Sequence, residues 1–236
     1  MQHRTYKYYD FVMAFFVAVL LCSNLIGPGK LSHLNIFGFH IPIESGNLFF
    51  AFSYVFGDVL TEVYGYARSR RVIWAGFAAC AFSAIMAYII VHIPSTLQDD
   101  YQRSLQSSLE VVFGNTWRIV SASLVAFWCG EFINSFVLAK MKILTNGKML
   151  WSRTIGSTLF GQLVDSFIFY TIAFYGVWQT SDLIKLTLSA LFLKISWEII
   201  LTPFTYFVVS KLKKAENEDY FDINTDFNPF KISTNP

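Results

Sequence analysis

The chain has 236 residues, of which 54% are hydrophobic, 18% aromatic and only 14% charged, with a mean hydropathy of +0.46. Soluble domains carry about 25% charged residues, so a water-facing globule is excluded, and a formal net charge of +2 is too small to mark a nucleic-acid binder. Apolar residues gather in stretches of about 17 to 25, the length that crosses the hydrocarbon core of a bilayer as a helix, and the chain reads as an all-α integral membrane protein.

In chain order, six membrane spans are predicted at 11–27, 48–66, 72–93, 118–139, 155–178 and 186–210. The first follows His3, Arg4 and Lys7 like a secretory signal, but Gly27, Pro28, Gly29 and further apolar segments come after it, so it reads as a retained helix. Ala14 and Ala18 on it form a small-xxx-small pair suited to close helix packing. The loop 28–47 alternates from His33 to Ile43 around Gly38, which suits either a short hairpin or a solvated loop. The loop 94–117, with Asp99, Asp100, Arg103 and Glu110, suits a short amphipathic helix. From residue 215 the chain is acidic and rich in Asn, which predicts a disordered tail over 215–236 after a transmembrane domain at 1–214.

Basic residues set the orientation. A cytoplasmic N-terminus puts Arg4, Lys7, Arg68, Arg70, Arg71, Lys140, Lys142, Lys148, Arg153, Lys211, Lys213, Lys214 and Lys231 inside, and only Lys30, Arg103, Arg118 and Lys185 outside. That bias predicts cytoplasmic termini. Cys22, Cys80 and Cys129 all fall in apolar stretches without CxxC spacing and read as packing residues. GxxxxGK[ST], HExxH and GxSxG are absent, so no cofactor, metal or enzymatic activity is expected.

The informative residues are polar groups at membrane depth. Asp58, Glu131, Asp165, Lys194 and Glu198 lie near the middle of four spans, where a charge costs about 2.5 to 3.5 kcal/mol on insertion scales. Four acids against one base must shed charge by protonation or gather round a cation or hydrogen-bond-donating ligand. Lys194 and Glu198 stand four apart in the weaker local order, which favours a tertiary role. Tyr54, Asp58, Thr61 and Glu62 share one helical face, Glu131 and Asn134 a second, and Thr158, Gln162 and Asp165 a third. Each suits ligand contact or interhelical hydrogen bonding. Asn24 suits an outer gate or a helix cap, and Glu62 suits a salt bridge to the Arg68, Arg70 and Arg71 cluster ahead of substrate contact. Trp128, Trp197, Phe127, Phe167 and Tyr170 flank the acids and offer faces for a flat ligand, although core packing is the better reading of any single ring, while Trp74, Trp117 and Trp178 suit interface anchors. Pro203 removes a hydrogen bond from the sixth helix and is read as a hinge.

The run YVFGDVLTEVYGYARSRR from Tyr54 to Arg71 resembles the DxxTExYG-type motif of the vitamin uptake transporter family, the queuosine precursor transporters. Ser23–Asn24, ExxNS at Glu131 to Ser135, STLFGxxxD at Ser157 to Asp165 and KxxxExxxxP at Lys194 to Pro203 extend the resemblance over nearly all six spans. It implies a bacterial inner-membrane importer of 7-cyano- or 7-aminomethyl-7-deazaguanine. The binding residues would be Asn24, Asp58, Thr61, Trp128, Glu131, Asn134, Gln162, Asp165, Lys194 and Glu198. The implied partners are the deazaguanine and the lipid bilayer, with a homodimer compatible and no nucleic acid. Six spans and the Ala14–Ala18 pair also resemble the substrate-binding components of energy-coupling-factor transporters, which need an ATP-driven partner.

Overall fold

The computed structural model describes residues 6–25, 31–36, 39–44, 47–94, 99–114, 117–176 and 180–231. Gly27 to Lys30, Gly38 and Trp178 lie outside the described residues. Among the described residues there are seven helices: α1 (Tyr9–Leu25), α2 (Asn47–Tyr64), α3 (Tyr66–His92), α4 (Asp100–Phe113), α5 (Trp117–Leu144), α6 (Leu150–Phe174) and α7 (Thr180–Glu216). Between α1 and α2, strands β1 (Leu31–Ile36) and β2 (Phe39–Glu44) pair antiparallel, with Leu34 opposite Ile41, so the alternating stretch forms the hairpin and not the open loop.

Helices α3, α5, α6 and the Leu191–Glu216 part of α7 are long and apolar enough to cross a membrane; α1 is apolar but shorter. Large apolar side chains on their outer faces remain exposed, among them Phe82, Phe160, Phe167, Phe192 and Ile200. The interior is inverted relative to a water-soluble domain, since Asp58, Glu62, Arg70, Glu131, Lys142, Arg153, Gln162 and Glu198 are all buried. Helix α2 is the hub of this interior and packs against α1, α3, α5 and α7.

The helices depart from the sequence expectations in two places. No loop separates the second and third spans: α2 ends at Tyr64 and α3 starts at Tyr66. Gly65 alone makes the turn, at φ +84, where a side chain is strained and a Cβ would stand 2.2 Å from the Tyr220 ring. Arg68, Arg70 and Arg71 therefore belong to the first two turns of α3. Helix α7 runs for 37 residues, about 55 Å at 1.5 Å per residue, well past the predicted 186–210. Helix α4, by contrast, forms as its pattern predicts, and Asp99 caps it by accepting from the Gln102 amide at 2.7 Å.

The largest correction concerns the tail. Residues 217–231 fold back across the end of the bundle where α2 meets α3. Glu216 accepts from the amides of Lys7 (2.9 Å) and Tyr8 (2.7 Å) and from the Tyr64 hydroxyl (2.9 Å). Asp222 accepts from the Tyr66 amide, both oxygens at 3.1 Å, and from Thr225 at 2.7 Å. Arg70 donates to the carbonyls of Asp226 and Asn228, and the Trp74 indole donates to that of Pro229 at 2.9 Å. The acidic residues that suggested disorder are instead acceptors for the open amides at the starts of α1 and α3.

Candidate functional site

Two layers of buried polar groups lie one helical turn apart on α2. The first is built around Asp58, which accepts from Asn134 Nδ2 of α5 at 2.8 Å. It lies within electrostatic range of Glu131 and Glu198. Glu131 in turn lies within range of Asp165 and Lys194. Asp165 on α6 and Lys194 on α7 form an ion pair of 2.9 Å, with 14% of each side chain exposed. The four acids and the lysine are therefore brought together from four helices.

Glycines make this approach possible. The Glu131 carboxylate fills the space beside Gly57, where a Cβ would stand 3.1 Å from its Oε2. Between α5 and α6, a Cβ on Gly130 would meet Asp165 Cβ at 2.8 Å, and one on Gly161 would meet the Gly130 carbonyl at 2.9 Å. The two backbones touch at the level that carries Glu131, Asn134, Gln162 and Asp165. Gly161 lies inside the quoted STLFGxxxD motif and Gly130 immediately precedes ExxNS, but sequence reading gave neither a packing role.

Several polar atoms in this layer have no hydrogen-bond partner among the described residues: Asp58 Oδ2, Glu131 Oε2, Glu198 Oε1, Asn134 Oδ1, Thr158 Oγ1 and Ser166 Oγ. Tyr54, also buried, lies within electrostatic range of Asp165, Glu131 and Asp58. Buried polar atoms are nearly always paired in folded proteins, so these atoms are open to partners beyond the described residues.

Other expected site residues stand apart. Thr61 joins Ser69 of α3 (2.9 Å) and Ser135 of α5 (3.1 Å) in a hydroxyl cluster, the interhelical alternative. Asn24 donates to the Leu20 carbonyl of its own helix at 2.9 Å and accepts from Ser123 at 3.4 Å. The Trp128 ring packs on Trp74, Phe132 and the tail's Phe230. Pro203 sits on the exposed side of α7, and flanking Thr202 donates to the Glu198 carbonyl at 2.8 Å.

The second layer surrounds Glu62, and its partners correct the sequence expectation. Arg68 lies over the Tyr6 ring and Arg70 serves the tail. Glu62 is instead held by Arg153 of α6 (2.7 and 3.2 Å), Lys213 of α7 (2.6 Å) and Lys142 of α5 (3.5 Å). Asp219 of the tail binds the same two lysines, at 2.5 Å to Lys142 and 2.7 Å to Lys213. One cue was available for Arg153. A cation in the first turn of a helix opposes the helix dipole, so its place there implied a tertiary partner.

Apolar helices long enough to cross a bilayer, closed around charged groups, define a multi-pass membrane protein with a polar interior. The chain belongs to the vitamin uptake transporter family: the family model described as "Putative vitamin uptake transporter" matches residues 44–208. Its members are transporters, not enzymes. The chain is similar to the "Probable queuosine precursor transporter" of Bacillus subtilis (strain 168), with 28% identity over 79% of this chain and 78% of the relative. It is also similar to the "Queuosine precursor transporter" of Escherichia coli (strain K12), with 27% identity over 77% of this chain and 74% of the relative. No solved structure matches.

Proposed function

We propose that this protein imports 7-deazaguanine precursors of queuosine across the bacterial inner membrane, by alternating access around the Asp58 layer. The observation that carries the reading is the set of unpaired buried acceptors contributed by four helices at one depth. A guanine-like edge presents ring and exocyclic N–H donors, which carboxylates accept with charge-assisted strength. The 7-aminomethyl form adds a cation that offsets the acid excess. In this reading Asp58, Glu131, Asp165 and Glu198 receive donors, Lys194 balances part of their charge, and Asn134 and Gln162 supply neutral contacts. Pro203 is the hinge of α7. The excess of basic residues at the end holding Arg68 to Arg71 and Lys211 to Lys214 supports six crossings with that end in the cytoplasm.

A second reading has one observation in its favour. Ala14 and Ala18 stand on an exposed face of α1 beside Phe11 and Phe15, as they would in the docking helix of an energy-coupling-factor substrate-binding component. Purified protein reconstituted alone into liposomes separates the two. Uptake of labelled 7-cyano-7-deazaguanine without ATP or any partner is the expected result, and binding without uptake favours the subunit. No binding of either deazaguanine defeats the substrate assignment.

A further inference from the structure

We propose that residues 217–231 form a strap that closes the basic end of the bundle, with Asp219 as its latch, so that transport requires the strap to release. The inference rests on the transport reading above.

The strap lies against the ends of the helices that would have to separate. Its Tyr220 ring packs over the single-residue turn at Gly65, Asp222 holds the first amide of α3, and Phe227 packs on Tyr66 and on Phe136 of α5, with ring centroids 4.9 and 5.2 Å apart. The layer it covers begins with Glu62, four residues from Asp58, a rise of about 6 Å along α2. Beyond the acid layer on this side a solute would meet the Glu62 layer and then the strap that covers it.

Charge couples the strap to the helix ends. While it is docked, Glu62 and Asp219 share Lys142 and Lys213, and Arg153 is held by Glu62. Removing Asp219 leaves three cations, one each from α5, α6 and α7, facing one carboxylate. Their repulsion favours spreading of the three helix ends, so strap release and opening at this end reinforce each other. The two anions differ in how easily they let go. Glu62 is 1% exposed and has no access to water, whereas Asp219 is 48% exposed. Asp219 can trade its lysines for water, while Lys142 and Lys213, 2% and 21% exposed, keep Glu62 as a partner, which suits a latch and not a permanent bolt.

The test is a reversible tether. In protein whose Cys22, Cys80 and Cys129 are replaced by Ser, Lys140→Cys and Phe227→Cys are combined, since Lys140 Nζ lies 3.8 Å from the Phe227 ring centroid. A short bis-methanethiosulfonate links the pair in liposomes, and mass spectrometry verifies the link. Uptake of labelled 7-cyano-7-deazaguanine should drop to the level of empty liposomes and return on reduction. Undiminished uptake by fully linked protein overturns the strap. If the reduced protein shows no uptake either, the transport reading fails, and a second readout still decides the latch. The single Phe227→Cys variant should react faster with a water-soluble maleimide when Asp219→Asn is added, and an unchanged rate overturns Asp219 as the latch.

Discussion

Asp58 and Glu62 are buried carboxylates one turn apart on the same helix, yet their surroundings are opposite. Glu62 accepts from a guanidinium and a lysine, with a second lysine 3.5 Å away. Asp58 has one amide donor, and its second oxygen has no partner. Leaving a buried carboxylate short of donors is costly, so a chain able to place three cations around Glu62 could have done the same a turn away. The contrast separates the two layers: the Glu62 layer is satisfied among the described residues, and in the proposed reading the Asp58 layer is completed by the substrate.

Breaking the satisfied layer should have the largest effect. Arg153→Ala removes the guanidinium that donates to both Glu62 oxygens and leaves that carboxylate to Lys213 and Lys142; losing one partner of an isolated buried pair typically costs about 3 to 5 kcal/mol, the ceiling for this change. Thermal unfolding in detergent should show a large loss of stability, with Asp58→Asn near wild type. Equal losses in the two variants would erase the distinction between the layers.

The open layer should respond in binding before stability. Glu131→Ala or Asp165→Ala removes an acceptor from a desolvated donor edge, worth about 1 to 3 kcal/mol, or roughly five- to 150-fold in the Kd for 7-cyano-7-deazaguanine. Titration of the detergent-solubilised variants measures this. Affinity unchanged in both would remove these acids from the site. Pro203→Ala sharpens the comparison along the time axis. Restoring a helical hydrogen bond stiffens α7 without touching an acid, so equilibrium binding should stay near normal while uptake slows. Wild-type uptake would make Pro203 a packing feature.

The smallest effect concerns pH at the tail. Burial pushes the Asp222 carboxyl above its ordinary value, against hydrogen bonds from Thr225 and the Tyr66 amide. Burial also acts upward on Asp219, but hydrogen bonds from Lys142 and Lys213 outweigh it and hold that carboxyl below its ordinary value. Asp219 therefore contributes to docking above the ordinary carboxylate pKa, and the contribution is lost as pH falls through its docked value. Asp222 works in the other sense, since its proton is bound more tightly when docked, so acidification favours docking. Asp222→Asn should remove the offset and make tail release on acidification steeper, as read by limited proteolysis from pH 7 downward. A profile identical to wild type would show that Asp222 does not titrate in this range.

Local pattern was enough where local physics decides the outcome. Asp99 caps α4 because an acid before an amphipathic run meets open amides wherever the chain goes, and the His33–Ile43 alternation pairs on itself. The midplane acids were legible because their cost in lipid demands a shared interior. What escaped depended on partners distant in the chain. The tail reads as solvated because its carboxylates have no local partners, and only the assembled bundle brings the amides of Tyr8 and Tyr66 to Glu216 and Asp222. Arg68 to Arg71 read as a loop because a one-residue turn at Gly65 leaves no signature beyond a single glycine. The Trp128 position was visible, but its direction toward Trp74 is set by packing between α3 and α5.

The contact between Glu216 and the start of α1 has a consequence during synthesis. The Tyr8 amide and its carboxylate acceptor are 208 residues apart, so at about 5 to 20 residues per second α1 emerges roughly ten to forty seconds before its cap does. Throughout that interval its opening turn depends on water, lipid headgroups or the insertion machinery for hydrogen bonds. A late-translated carboxylate therefore finishes α1, and a ribosome that stalls before Glu216 leaves the start of that helix incomplete.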